Sequence, residues 1–160
     1  MTKTKQARIL IIDDDESVRK SHATVLRENG YLVDVAVNGK EAITKSKASF
    51  YNLTLVDLRL PDMDGIRLLT EMRETIPKMV KIIITGYPSL ENAIEAVNRG
   101  ADGYMVKAYS MDGLLRTIKR HLQKQQEARK YSEEKVKEYI ETRVAEHESK
   151  VPAKRKSKRE

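Results

Sequence analysis

The sequence contains no cysteine, which removes disulfide staples and thiolate metal sites from consideration without fixing the compartment. Long apolar runs are missing too. The longest, such as Ile9–Ile12 and Ile82–Ile84, fall far short of the roughly 20 apolar residues that a membrane-spanning helix needs. The opening segment, Met1-Thr-Lys-Thr-Lys-Gln-Ala-Arg8, lacks the apolar centre and small-residue cleavage site of a signal peptide. The expectation is a soluble, cytoplasmic chain with no membrane span. A nucleotide-binding loop, a catalytic triad and a cofactor motif are also wanting, which argues against a general metabolic enzyme.

What is present is charge, unevenly placed. The formal net charge is +7 over 160 residues, enough chain for one ordinary domain plus a modest extension. Carboxylates crowd into Asp13–Glu16 and Asp57–Asp64, whereas Lys150 to Arg159 is almost purely basic. A basic terminus suits nucleic acid or an anionic membrane, and equally suits plain solvation.

The apolar pattern alternates between two periods. Arg8–Ile12 reads as a buried strand, Glu16–Asn29 as a helix stopped at Asn29-Gly30, and Tyr31–Val37 as a strand. Asn38-Gly39 then leads into a small helix over Lys40–Ser49. Leu53–Val56 is a further strand ending at Asp57, and Pro61–Gly65 opens a helix through Ile66, Leu68, Leu69 and Met72 that Pro77 should close. Lys81–Ile84 is a strand ending in Thr85-Gly86. Ser89 caps a helix over Leu90–Arg99, and Gly103–Val106 is a short last strand before Lys107. A final helix should start near Ser110 or Met111. Five strands alternating with helices predict an α/β domain with a mostly parallel sheet and right-handed crossovers.

The polar residues that interrupt this pattern share one location. Asp13 and Asp14 follow the first strand, Asp57 ends the third, Thr85 the fourth and Lys107 the fifth. In a parallel sheet all strand C-termini lie on one edge, where ligands of open α/β sheets bind. An aspartate after a strand is commonly just a helix cap, and Asp15 is read that way; five coincidences on one edge are harder to dismiss. Three clustered carboxylates need a cation at neutral pH, and hard oxygen donors suit Mg²⁺. One carboxylate can then act as a nucleophile towards phosphorus, with a lysine and a hydroxyl stabilising the phosphoryl oxygens.

The segments Ile9-Leu-Ile-Ile-Asp-Asp-Asp-Glu-Ser-Val-Arg19, Leu55-Val-Asp-Leu-Arg-Leu-Pro-Asp-Met-Asp-Gly65, Ile84-Thr-Gly86 and Tyr104-Met-Val-Lys107 resemble the response regulator receiver family of two-component signalling, over about residues 7–121. The resemblance implies a flavodoxin-like (βα)5 parallel sheet of order 2-1-3-4-5, the order found in a chemotaxis member of this family. It implies that Asp57 takes a phosphoryl group from a sensor histidine kinase or phosphotransfer protein. Asp13 and Asp14, with Asp57 and the backbone carbonyl of Arg59, would hold Mg²⁺. Thr85 resembles the switch hydroxyl, Lys107 the lysine that pairs with the phosphoryl group, and Tyr104 the aromatic that rotates inward on activation; the other reading of Tyr104 is a half-buried edge-strand residue. Arg59 and Tyr87 occupy the places of a dephosphorylation gate, and being bulky they predict slow self-dephosphorylation; the alternative is that both point into solvent.

One position departs from the family pattern. Proline usually follows the lysine, often through a cis bond, but here Ala108 does. A non-proline cis bond costs about 3–4 kcal/mol, so either the Lys107–Ala108 bond is trans and the loop is rearranged, or strain is tolerated. Beyond the receiver, residues 122–151 read as a charged helical extension with a thin stripe of Val136, Ile140, Val144, His147 and Val151, and 152–160 as a basic disordered tail with Pro152 ending any helix. The extension either pairs with a second copy, giving a homodimer, or is a solvated helix. His22, His121 and His147 read as isolated surface or helix residues. The leading expectation is a stand-alone switch that changes partner binding or dimerisation when Asp57 is phosphorylated. The alternatives are the receiver portion of a DNA-binding transcriptional regulator, for which no helix-turn-helix pattern is seen, and a phosphorelay intermediate.

Overall fold

A computed structural model describes the backbone of residues 6–159 and the side chains of residues 6–147. The expected alternation is present as β1 (Arg8–Ile12), α1 (Glu16–Glu28), β2 (Leu32–Ala36), α2 (Gly39–Ala48), β3 (Leu53–Asp57), α3 (Gly65–Glu71), β4 (Val80–Thr85), α4 (Leu90–Asn98), β5 (Gly103–Val106) and α5 (Met111–Arg159). The strands form one parallel sheet of order β2-β1-β3-β4-β5.

Both faces of this sheet are covered, which is why its strands read as unbroken apolar runs. Successive β1 residues point to opposite sides. Leu10 and Ile12 join Val56, Ile83, Leu68, Leu69 and Ala96 on the side of α2, α3 and α4. Ile9 and Ile11 join Leu55, Ile82, Ala23, Leu26, Leu114 and Ile118 on the side of α1 and α5. The pairing puts Asp57 opposite Ile84, so Thr85 lies one residue beyond it on the neighbouring strand.

Local chemistry sets the helix ends. Asp15 accepts from the N–H groups of Ser17 and Val18, Asn38 from Glu41, Asp64 from Ile66 and Ser89 from Asn92, which satisfies otherwise orphaned donors of the first turn. Gly30 and Gly100 follow α1 and α4 at φ of +89° and +98°, a conformation that costs glycine little. α3 is shorter than the sequence suggests. It ends at Glu71, because Met72 turns extended to bury its side chain and the Lys81 ammonium takes the Leu69 carbonyl at 2.6 Å. Residues between Met72 and Pro77 are therefore loop.

The compact unit closes at Gln125, four residues past the expected edge at His121. Leu122 is buried, and the Gln125 amide donates to the carbonyls of Asn52 and Lys78 at 3.0 and 2.8 Å, so these residues belong to the receiver's packing. The second unit, residues 126–160, is helical through Arg159. Its side chains are exposed from Gln126 to His147, and Arg129–Glu133, Lys137–Glu141 and Arg143–Glu146 form ion pairs one turn apart. Pro152 does not end the helix as expected: a proline removes a single i→i−4 bond and crowds one carbonyl, and the Ala, Lys and Arg residues after it favour helix. The side chain of Val151, last in the apolar stripe, lies outside the described residues. Among the described residues no helix is long and apolar enough to cross a membrane.

Candidate functional site

Four strand ends and the turns after them build the site. Asp13 and Asp14 leave β1, Asp57 is the last residue of β3, Thr85 the last of β4, and Lys107 follows β5 directly. Asp13, Asp57 and Thr85 are buried, with Asp57 only 6% exposed, whereas Asp14 is open to solvent. One carboxylate oxygen from each of Asp13, Asp14 and Asp57 lies within 4.8 Å of the others. The Lys107 ammonium sits 3.2 Å from Asp57 Oδ2 and 3.6 Å from Asp13 Oδ2.

The electrostatics follow from this crowding. Burial raises the Asp13 carboxyl from 3.8 to about 6; the Asp15 N–H bonded to it opposes the shift, the Asp57 charge adds to it, and Lys107 opposes it again. For Lys107, burial works against the charge, but the Asp13 and Asp57 carboxylates outweigh it and hold the ammonium above its ordinary value. One lysine faces a cluster of three carboxylates. The surplus negative charge and the all-oxygen donor set fit a hard divalent cation such as Mg²⁺.

The remaining predicted residues are close by but differently engaged. Thr85 Oγ1 accepts the Tyr87 N–H at 2.9 Å, leaving the hydroxyl proton free to donate elsewhere. The Arg59 N–H donates to Asp57 Oδ1 at 3.1 Å. The side chains of Arg59 and Tyr87 neither splay apart nor point singly into solvent: the guanidinium stacks on the tyrosine ring, 3.9 Å from its centre. Tyr104 is half-buried against the α2–α4 side of the core, and its hydroxyl accepts from the Ser89 N–H at 3.4 Å.

Ala108 does not spoil the aim of Lys107. Among the described residues the cis bond is Ile76–Pro77, so Lys107–Ala108 is trans. The Lys107 N–H donates to the Thr85 carbonyl at 2.8 Å and the Ala108 N–H to the Val106 carbonyl at 2.7 Å. The ammonium still reaches both carboxylates.

Three features escaped the sequence reading. Gly65 stands where a Cβ would run into the Asp57 carbonyl oxygen, so the backbone of Asp57 rests against a missing side chain. Asp62 accepts from the N–H groups of Gly39 and Lys40 at 2.8 and 2.9 Å, tying the loop after Asp57 to the start of α2. These bonds hold the Asp62 carboxyl below its ordinary value. The Asp-Met-Asp-Gly65 motif was the available signal for both. His22 is the third: it is buried rather than on the surface, because its ring meets Tyr109, 87 residues away.

With this geometry established, likeness to known proteins can be weighed. Residues 9–119 match the response regulator receiver domain family. The chain is 36% identical over 118 residues to the regulatory protein AtoC of Escherichia coli (strain K12), covering 74% of this chain and 26% of AtoC. It is 37% identical over 114 residues to the transcriptional regulatory protein ZraR of Klebsiella oxytoca, covering 71% of this chain and 26% of ZraR. The chain thus spans about a quarter of the length of these curated relatives. Among solved structures, a CheY-like receiver domain protein from Methanospirillum hungatei JF-1 superposes with a TM-score of 0.74 at 40% identity, over 78% of this chain and 99% of that one. A response regulator from Burkholderia pseudomallei, solved with a phosphorylated aspartic acid, a calcium ion and citrate, gives a TM-score of 0.63 at 31% identity, over 69% and 65%. Sheet order, the acidic strand ends and the match over residues 9–119 agree: this chain belongs to the response regulator receiver domain family.

Proposed function

We propose that Asp57 is the phosphoacceptor and that the chain works as a phosphorylation switch fed by a histidine kinase or phosphotransfer protein. The observation that carries this reading is a buried carboxylate at a strand end with an ammonium 3.2 Å away and two further carboxylates within reach of a shared cation. An Asp57 oxygen attacks phosphorus, the phosphorus–nitrogen bond of a phosphohistidine donor breaks, and the imidazole keeps the electron pair and takes up a proton. Lys107 neutralises one phosphoryl oxygen and the Thr85 hydroxyl, turning from its present partner, donates to another. Asp13, Asp14, Asp57 and the Arg59 carbonyl are the residues that would hold Mg²⁺, which when bound supplies charge neutralisation between carboxylates and phosphoryl group. The Burkholderia relative, solved with a phosphorylated aspartic acid and a calcium ion, supports the reading of an aspartate as phosphoacceptor.

Tyr104 and Thr85 act as the switch pair in this reading. Movement of Thr85 towards the phosphoryl group frees space behind it, and Tyr104, tied to the α4 cap through Ser89, follows. The Arg59–Tyr87 stack bridges the turns after β3 and β4, where it screens the phosphoryl group from water and slows hydrolysis. The receiver spans residues 7–121 and its packing runs to Gln125; 122–151 is an extension available to a second copy. A second reading, a role in transcription, is favoured by the regulators among the relatives. Tight sequence-specific DNA binding would establish it, whereas binding that fades with salt and ignores sequence reflects only the basic terminus.

Intact-protein mass after incubation with acetyl phosphate and Mg²⁺ tests the main proposal. The expected result is one phosphoryl adduct that requires Mg²⁺ and is absent from Asp57→Ala. No adduct on the folded protein, or an adduct retained in Asp57→Ala, overturns it.

A further inference from the structure

Lys107 is held in place by a loop that has little to stiffen it. Ala108 follows where a proline ring would fix φ, and Ala108 itself is exposed. The next residue, Tyr109, reaches across to α1 and meets His22. The Tyr109 hydroxyl lies 2.6 Å from His22 Nε2, and the rings meet edge to face at 5.8 Å. The opposite ring nitrogen, Nδ1, lies 2.8 Å from the Val18 carbonyl.

These contacts assign the protons. A carbonyl only accepts, so Nδ1 carries the hydrogen and donates to Val18; Nε2 then presents a lone pair, and the tyrosine O–H is the donor. Burial favours the neutral ring that this arrangement requires, lowering the His22 pKa, and the nearby Lys107 charge lowers it further. The tyrosine is likewise kept protonated: burial first, then the Asp13 and Asp57 charges, push its pKa up to about 12. The hydrogen bond therefore lies within the field of the acidic site while touching none of its carboxylates.

We propose that His22 and Tyr109 form a latch that fastens the loop of residues 107–110 to α1 and thereby positions the Lys107 ammonium against Asp57. Both are positioning residues: neither meets the phosphoryl group. The inference rests on the reading of Asp57 as phosphoacceptor, and adds to it where the lysine's placement comes from. The two neighbouring restraints, Lys107 N–H to Thr85 and Ala108 N–H to Val106, fix the backbone only up to Ala108. Ser110 starts the next element, capping α5 through the Gly113 N–H at 3.0 Å. Between them, Tyr109 is the anchor to a different part of the fold.

The latch separates two affinities that general loosening would move together. Mg²⁺ depends on the carboxylates, whereas a phosphoryl mimic depends on Lys107 as well. Calorimetric titration of the full chain with Mg²⁺, and then with beryllofluoride at saturating Mg²⁺, reads both. Tyr109→Phe removes one oxygen, and His22→Leu removes the acceptor. Each is expected to weaken beryllofluoride binding about fivefold to tenfold, the equivalent of one hydrogen bond, without lowering Mg²⁺ affinity. His22→Gln, whose amide oxygen can stand in for Nε2, is expected to restore beryllofluoride binding to within about twofold. The double variant His22→Leu/Tyr109→Phe should be no weaker than either single one, since both break the same bond. Unchanged beryllofluoride binding in folded Tyr109→Phe would overturn the latch, as would a parallel fall of both affinities. Failure of the phosphoacceptor reading shows separately, as no beryllofluoride binding by the unsubstituted protein, and would take the latch's role down with it.

Discussion

The two edges of the sheet hold polar groups to opposite effect. Towards the N-terminal edge several polar groups meet complementary partners. The Arg8 N–H donates to Asn52 Oδ1 at 2.9 Å, the Asn52 amide to Gln125 at 3.3 Å, and the Lys81 N–H to Asp102 at 2.9 Å. Tyr51, buried, donates to Asp34 at 2.6 Å, and Arg8 pairs with the same carboxylate. At the C-terminal edge Asp13 and Asp57 face one another, Asp14 stands beside them, and Lys107 pairs with Asp13 and Asp57 but not with Asp14. One edge is matched within the chain; the other is matched only when something else arrives. Buried polar groups stabilise a fold when their charges balance within it, and leave a binding site where hydrogen bonds are made but charge is not balanced.

The largest expected effect lies at the unmatched edge. Gly65→Ala would drive a Cβ into the Asp57 carbonyl. We expect a loss of about 3 kcal/mol, the upper range for overpacking at a site where backbone must move, together with a phosphorylation rate at least tenfold lower. Chemical denaturation and the mass assay measure the two; wild-type behaviour in both would show that the loop yields without cost. At the matched edge, Asn52→Ala should lose about 2 kcal/mol for the partners it strands while phosphorylation proceeds at the wild-type rate. A fall in that rate would mean that the edges are coupled, and the contrast would break.

Asp13→Asn should move stability the other way. The Asp13 carboxyl sits at about 6 in the folded chain against an ordinary 3.8. Between those values the folded state binds more protons than the unfolded state, so this group's contribution falls as pH rises from about 4 to about 6 and stays low above. Asparagine retains an oxygen for the Asp15 N–H and drops the charge. We expect a gain of about 1 kcal/mol at neutral pH, no gain at pH 4, and weaker Mg²⁺ binding. Thermal unfolding at the two pH values checks the sign; a variant less stable at neutral pH contradicts it. The smallest effect belongs to the second unit. Removing residues 126–160 should change unfolding by less than about 0.5 kcal/mol, because the described side chains there are exposed. Sedimentation of full and shortened chains reports whether Val136, Ile140 and Val144, all exposed, pair with a second copy: a doubled mass in the full chain alone is the expected sign.

Much of this was legible in the sequence because it is written locally. Strands buried on both faces must be apolar at every position, so Ile9–Ile12 and Ile82–Ile84 declared themselves. Caps such as Asp15 and Ser89 act within three residues. The site could be assembled because parallel strands bring their ends to one edge whatever their separation along the chain. What stayed hidden depends on side chains meeting from afar: Arg59 on Tyr87, Asp62 on α2, His22 on Tyr109. The shortness of α3 was hidden for the same reason, since Lys81 reaches its last turn from β4. Pro152 misled because a rule about single residues was applied to a terminus rich in helix formers.

In the proposed reading, the stack of Arg59 on Tyr87 also bears on time. It joins the turn after Asp57 to the turn after Thr85, and its strength is set by a cation above an exposed ring rather than by the core. On the proposed gate, exchanging these two surface residues would change how long a phosphoryl group persists while leaving sheet, helices and Asp57 untouched. The duration of the signal would then be set at the surface and not in the core.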